Sequence, residues 1–599
     1  AGAAVGAGAD IPELIEPHGP PEGAPGTMPV SSVFDQFIAE AGLAEEVVEV
    51  GVESTDASQF DTGEAFPLSV YDPGEEVPET IDLESPRAFR VELAGVEPSP
   101  IEQRVGRSTR LFWIWFAANS SVISVGLGAV IFSLGVSLRQ AIIATLVGVS
   151  ISSLPLGIGA LAGKRSGQPT MVVSRATFGL MGNILPALLA FLTRVFWGAV
   201  LLWLFTLGLA AVNDSTGLLD LDGATLSYAT LGAGVLLTGV IAFFGYGLIA
   251  RVQAVLTIVS SVLVVGFIML SWPTVDLRAA MRVADGDWTL VATGAVLVFS
   301  VVGLVWAMSS ADVARYQYPH SSGAGSMLWS WAGAALPAFL LVGYGSLLAA
   351  SDPELLTGLL EEPMETLTVL IPAVYVYPML AVLGLGLLSG AVVTIYSGGF
   401  ALQAVGLRAP RSIVVIVVAV LTGAAAAGVL VAVTGFDGLV RDLATTIAVP
   451  VAAWVGVFSA ELMMRSRRFH SPSLVQRGGV YADVRWLNLA TLIVATVVGF
   501  AFTDAAASWL SWQGFGWGLV GFEPDSVMAG TDIGVVGALV LALLVTVAAG
   551  KPGINAQERG ERAQSGEVDV RDAEPSDPEP AAVSRELDWP DGEAPNDPR

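Results

Sequence analysis

Twelve long apolar segments between Leu111 and Gly550 restrict this chain more than any other feature. A bilayer interior offers no water to backbone amides, so only helices or closed barrels can cross it, and runs of this length read as helices. The spans are expected at 111–135, 139–162, 183–212, 227–246, 252–272, 289–310, 327–350, 371–400, 412–434, 440–463, 486–504 and 532–550. The fold class is therefore an all-α polytopic membrane protein. Its three expected regions are an acidic tail over 1–105, a transmembrane domain over 106–550 and a second acidic tail over 551–599.

The formal net charge of -27 belongs to the tails. Residues 1–109 hold 22 Asp/Glu against 4 Lys/Arg, and residues 551–599 hold 13 against 6. The membrane part between them is near neutral. No basic stripe points to nucleic acid. Both tails have too few apolar residues to offset ordering entropy, so disorder is expected. One short helical stripe is read over 33–50, from Phe34, Phe37, Ile38, Leu43, Val47 and Val48. A transient helix in a solvated tail is the favoured reading, since short helices are marginal alone; docking to a cytoplasmic partner is the alternative.

Loop charges orient the chain. With the N-terminus in the cytoplasm, inner loops hold twelve Lys/Arg, among them Lys164, Arg315, Arg411 and Arg465. Outer loops hold four: Arg139, Arg278, Arg282 and Arg441. This positive-inside bias sets both tails in the cytoplasm and the protein in the cell membrane.

The absence of cysteine excludes disulfides and thiolate chemistry. His18, His320 and His470 all fall outside the spans. No nucleophile–base pair or metal cluster is visible within them, so an enzyme is not expected and no cofactor is read.

Polar residues interrupt two spans. Span one carries Asn119-Ser120-Ser121 just before Gly126 and Gly128; span six carries Gly303, Trp306 and Ser309-Ser310. Spans one and six correspond if the first ten helices form two repeats of five. Broken helices at matching places point to a midplane site, where freed carbonyls and amides hold an ion or polar guest. Close helix packing would explain either interruption alone; the coincidence favours a site. Trp197 in span three could stack on a flat ring, while Trp203 reads as packing. Arg194 is the cation deepest in a span and reads either as a structural ion pair or as a gate or site residue. Asp312 and Glu461, near the cytoplasmic ends of spans six and ten, read as groups snorkelling to the surface, with a partner or proton-carrier role as the alternative.

Four ordered motifs carry a family resemblance: Trp115–Ala129, Gly163–Gly179, Trp306–Tyr316 and Gly479–Asn488. They resemble the nucleobase:cation symporter-1 family, purine–cytosine permease branch, over about 100–550. The resemblance implies a leucine-transporter-type core of five plus five inverted repeats with two extra helices. It also implies alternating access around a site between helices one, three, six and eight. The substrate it implies is a flat heterocycle of the cytosine, purine, uracil, allantoin or hydantoin type, imported with sodium or protons.

Carried over residue by residue, the family's stacking tryptophan falls on Trp197. Asn119, Ser121, Gly303, Trp306 and Thr394 complete the expected substrate site. The hydantoin transporter's binding Gln falls on Leu201, its Gly-Trp pair on Val302 and Gly303, and the branch's Asn on Thr394. These departures imply a more apolar or differently substituted ring. The family's sodium ligands fall on the carbonyls of Ala117 and Ser120 and on the Ser389 hydroxyl, with Leu388 where a second hydroxyl would stand. A transceptor, in which a transporter scaffold signals through the acidic tails, is the alternative reading.

Overall fold

Helix is the local answer almost everywhere, as apolar runs without water require. The computed structural model describes residues 85–121, 124–217, 220–432, 442–523 and 526–565. The helical stripe expected over 33–50 lies outside these residues. Among the described residues, the extended pairing is a single isolated bridge between Gly106 and Gln317.

The helices used below are α1 (Thr109–Asn119), α2 (Ser124–Ser133), α3 (Leu138–Ser166), α4 (Thr170–Phe178), α5 (Ile184–Thr216), α6 (Gly223–Phe244), α7 (Tyr246–Ser271), α8 (Trp288–Val298), α9 (Leu304–Ala307), α10 (Ser310–Ala314), α11 (Gly323–Ser351), α12 (Val376–Val405), α13 (Arg411–Ala432), α14 (Ala444–Met464), α15 (Trp486–Ala501), α16 (Gly534–Ala549) and α17 (Lys551–Ser565). Among the described residues, nine helices are long and apolar enough to cross a membrane, or up to eleven if each bent pair is one span. The 16-residue α15 falls short of that length.

Span one is bent by 65° between α1 and α2. The sequence causes this locally. Asn119 Nδ2 donates to the Trp115 carbonyl at 2.8 Å, and Ser120 Oγ donates to the Ala117 carbonyl at 3.3 Å. Side chains that bond their own backbone compete with the helical ladder. Span six departs from α-helix twice. A π-turn covers Phe299–Gly303, and the chain leaves helical geometry again at Met308 and Ser309, between α9 and α10.

Glycines set how closely the neighbours approach. A Cβ at Gly128 would lie 2.1 Å from the Val342 carbonyl oxygen, and one at Gly345 would lie 2.0 Å from the Val125 carbonyl oxygen. Thus α2 and α11 touch backbone to backbone. Around the centre, Trp115, Trp197, Trp306, Tyr396 and Phe400 share one buried apolar cluster.

Asp312 and Glu461 are buried rather than snorkelling. Asp312 Oδ1 accepts from Thr170 N at 2.8 Å and Thr170 Oγ1 at 2.9 Å. Glu461 pairs with Arg485 and accepts from Asn488 Nδ2 at 3.0 Å. Donors from distant helices replace water, as buried carboxylates require.

Two stretches that composition assigns to the tails are ordered against the bundle. The α17 helix docks through Glu561, which accepts from Arg465 and from the Tyr481 hydroxyl, each at 2.8 Å. Glu558 accepts from the backbone amides of Ser466 and Arg467 at 2.7 and 3.0 Å. Before α1, residues 85–106 run across the end of the bundle where the arginine-rich loops meet. There Ser99 N donates to the Gly167 carbonyl at 2.8 Å, and Gly106 N to the Tyr316 carbonyl at 2.9 Å. Net composition could not foresee these segments, because each is held by a few specific polar contacts together with single buried apolar side chains, Ile101 in one and Ile554 in the other.

Candidate functional site

The two broken spans meet. Trp306, on α9, donates Nε1–H to Asn119 Oδ1, at the end of α1, at 3.0 Å. Asn119 thereby uses both ends of its amide, the nitrogen on its own helix and the oxygen on span six. Trp115 lies beside the same indole, with ring centroids 5.6 Å apart and planes tilted by 55°. Trp306 and Trp115 are fully buried, and Trp197 nearly so.

Arg194 settles below this group. Its guanidinium donates to the Val305 carbonyl and to Ser309 Oγ, the latter at 3.3 Å, and lies 5.7 Å from the Trp306 ring centroid. Its partners are therefore polar groups beside the second break of span six, with no carboxylate within salt-bridge distance among the described residues. A carbonyl freed by a broken helix needs a donor when buried, and a planar cation held over an indole supplies one.

The wall facing α1 and α9 comes from α12. A Cβ at Gly390 would meet Leu201 Cδ1 at 2.9 Å, and the Ala118 carbonyl and the far edge of the Trp306 ring at 3.6 Å each. Gly390 thus stands where helices one, three, six and eight converge. The sequence motifs did not single it out, since a glycine within an apolar run has no local signature. One turn on, Thr394 Oγ1 donates back to the Ala391 carbonyl at 2.8 Å and lies beside Gly198, next in chain to Trp197. Ser121 is buried, and its Cα would stand 3.1 Å from a Cβ at Gly386. Gly303 faces elsewhere: a Cβ there would come within 2.3 Å of the Ser152 carbonyl on α3.

At the three residues expected to hold an ion, polar groups already pair within the protein. The Ala117 carbonyl accepts the Ser120 hydroxyl, as noted. Ser389 donates its hydroxyl to Gln253 Oε1, and its carbonyl accepts Gln253 Nε2–H at 3.1 Å. Gln253, on α7, is fully buried. Sequence reasoning passed over it because α7 shows no break, and a lone amide near the start of an apolar run does not reveal what it will meet.

Comparison with known proteins agrees with this geometry. The family described as "Permease for cytosine/purines, uracil, thiamine, allantoin" matches residues 98–516. YxlA of Bacillus subtilis (strain 168), named for the purine–cytosine permeases, is 26% identical over 276 residues. That match spans 44% of this chain and 56% of YxlA, so the chain covers about half the length of this curated relative. Among solved structures, Mhp1, a nucleobase-cation-symport-1 family transporter in a closed conformation with bromovinylhydantoin bound, superposes with a TM-score of 0.58 at 18% identity. That superposition covers 78% of this chain and 98% of Mhp1. The inward-facing conformation of Mhp1 gives 0.53 at 19% identity, covering 81% and 99%. The fold is thus the one seen in Mhp1, and the chain belongs to the nucleobase:cation symporter-1 family, within the permeases for cytosine/purines, uracil, thiamine and allantoin.

Proposed function

We propose that this protein is a secondary active transporter that imports a planar, nucleobase-like heterocycle through the plasma membrane, with both termini in the cytoplasm. The observation that carries the reading is the Trp306–Asn119 hydrogen bond, which joins the interruptions of spans one and six beside Trp197. The guest ring stacks on Trp197. Asn119, Ser121, Thr394 and the backbone near the breaks offer it polar contacts, and Trp306 closes the far side. Leu201, directed at Gly390, presents a methyl group where a base-binding amide would otherwise stand. This favours a ring carrying an apolar substituent over unsubstituted cytosine, since an unpaired polar edge is costly in a dry site.

Import is coupled to a cation. Sodium and a proton are both open to it: the Ser389 hydroxyl donates to Gln253 Oε1 and so keeps its lone pairs for a cation, while Leu388 stands where a second hydroxyl ligand would be. Thermal-shift screening of the purified protein against cytosine, purines, uracil, allantoin and substituted hydantoins tests the ligand, since ligands that bind only the folded state raise its apparent stability. Uptake of the best ligand into proteoliposomes under an imposed pH or sodium gradient tests transport. Saturable, gradient-dependent uptake is expected; no shift and no uptake for any heterocycle would remove the reading.

A further inference from the structure

The segment before the first span buries one carboxylate among groups drawn from four spans. Glu92 Oε1 accepts from Arg315 at 2.6 Å, from the Tyr316 hydroxyl at 2.6 Å and from the Tyr396 hydroxyl at 3.2 Å. Its Oε2 accepts from the Tyr246 amide at 2.9 Å and lies 3.5 Å from an Arg411 nitrogen. The Glu92 side chain is 8% exposed, Arg315 0% and Arg411 1%. These donors come from the start of α7, the turn after α10, the middle of α12 and the start of α13.

The backbone around Glu92 is held as well. Glu92 N donates to the Phe244 carbonyl at 3.0 Å. Arg315 donates to the Gly95 and Ala94 carbonyls at 2.9 Å each, and Arg411 to the Glu92 carbonyl at 3.3 Å. Two glycines make room. A Cβ at Gly245, whose φ is +91°, would lie 2.2 Å from Glu92 Oε2, and one at Gly247 would lie 2.5 Å from the Arg87 carbonyl oxygen.

The position along α12 gives this network a meaning. Thr394 lies in the candidate site; Tyr396 donates to Glu92; Phe400 lies 4.6 Å from the Arg315 guanidinium carbon and 5.8 Å from that of Arg411. Six residues of helix rise about 9 Å. The α12 groups around the carboxylate and its two arginines, Tyr396 and Phe400, thus lie within about 9 Å of Thr394 along the helix, toward the arginine-rich end. Through these contacts Glu92 ties spans five, six, eight and nine together at that end.

We propose that residues 85–106 form an inner gate in which the Glu92 carboxylate latches spans five, six, eight and nine, and that the central site opens to the arginine-rich side only when this segment withdraws. This rests on the transporter reading above; the segment, formally neutral with three Glu and three Arg over 85–106, acts through its one buried carboxylate as a plug between two guanidiniums rather than as part of the substrate site. A buried carboxylate with two cations is strongly held once formed, yet removing one partner leaves charges uncompensated, which suits a two-state latch.

The test needs no substrate. The chain has no cysteine, so Ser397→Cys, between Tyr396 and Phe400, reports opening by its rate of reaction with a water-soluble maleimide in nanodiscs. Glu92→Gln is expected to raise that rate about tenfold or more, the scale of losing a charged hydrogen-bond partner. Gly247→Ala keeps every charge but crowds the segment, and the same direction is expected for it. Ala453→Cys, fully buried in α14, should stay unreactive in both backgrounds. An unchanged Ser397→Cys rate in Glu92→Gln would overturn the latch, as would a parallel rise at Ala453→Cys, which would mean general loosening. If the rate rises but no heterocycle is ever transported, the latch stands and the transport reading fails.

Discussion

Trp306 Nε1–H points at Asn119 Oδ1 over 3.0 Å, so the interruption of one span is hydrogen-bonded to that of another 187 positions away. Deleting either partner strands the other in a dry centre. Trp306→Phe and Asn119→Ala should each lower stability by about 1–3 kcal/mol. The double mutant should lose less than the sum, with a coupling of about 1 kcal/mol in a thermal-unfolding cycle. Strict additivity would mean that the bond contributes nothing.

Arg194 supplies a donor to the Val305 carbonyl beside the second break of span six. Arg194→Gln should destabilise by about 1–3 kcal/mol. Arg194→Lys should not restore the wild-type value, because a single ammonium cannot reach the carbonyl and Ser309 Oγ while lying over the indole. Hydrogen exchange is the second readout: amides near residues 305–309 should lose protection in both variants, ahead of the remainder of the bundle.

Gly390 leaves space between Leu201, Ala118 and Trp306. Gly390→Ala places a methyl there, and the flexible end of Leu201 can turn away, so folding should survive. Ligand affinity should fall by about tenfold, the scale of a lost methylene-sized pocket. Melting temperature without ligand and ligand-induced shift, measured together, separate the two effects. An unaltered shift would place the guest elsewhere.

Gln253 holds both the hydroxyl and the carbonyl of Ser389. That amide fixes the Ser389 hydroxyl with its lone pairs free, so Gln253→Ala should weaken any rise in melting temperature that sodium gives over choline chloride at equal ionic strength. A sodium-specific rise of several degrees in the wild type would identify sodium as the coupling ion; no rise, with uptake following an imposed pH gradient, would identify the proton.

The Glu92 latch should ignore mild acid. Burial alone pushes this carboxyl up, but Arg411, Arg315, the Tyr316 hydroxyl and the Tyr246 amide together hold it below the ordinary 4.5. The groups facing it are guanidiniums and phenols, which do not change charge between pH 5 and 8. A carboxyl with a depressed folded value stabilises fully above its unfolded value and loses that stabilisation only as pH falls through the folded one. Protection factors for amides 92–95 should thus stay level from pH 8 to 5.5. A step near pH 6 or 7 would assign control of the segment to another group.

The breaks in spans one and six were legible because their causes are local. Asn119 and Ser120 bond to carbonyls three and four residues back, and that competition is written in adjacent positions. Other features had no such signature. Gly128 and Gly303 look alike in sequence to glycines at a binding site, yet both stand against neighbouring backbone, one on α11 and one on α3. Gln253 and Gly390 lie in unbroken apolar runs and acquire a role only from what α12, α1 and α5 bring beside them.

The amino-acid sequence by itself determined that this chain is a bundle of membrane helices, which spans are interrupted, and which family it resembles. Apolar length, side-chain competition for nearby carbonyls and short motifs all act over a few residues. Tertiary structure alone decided that Arg194 meets span six, that Gln253 meets Ser389, and that a glutamate from the acidic leader closes on Arg315 and Arg411. Those pairs join residues up to 319 positions apart. Their strength comes from a shared low-dielectric interior, which exists only after the helices have packed.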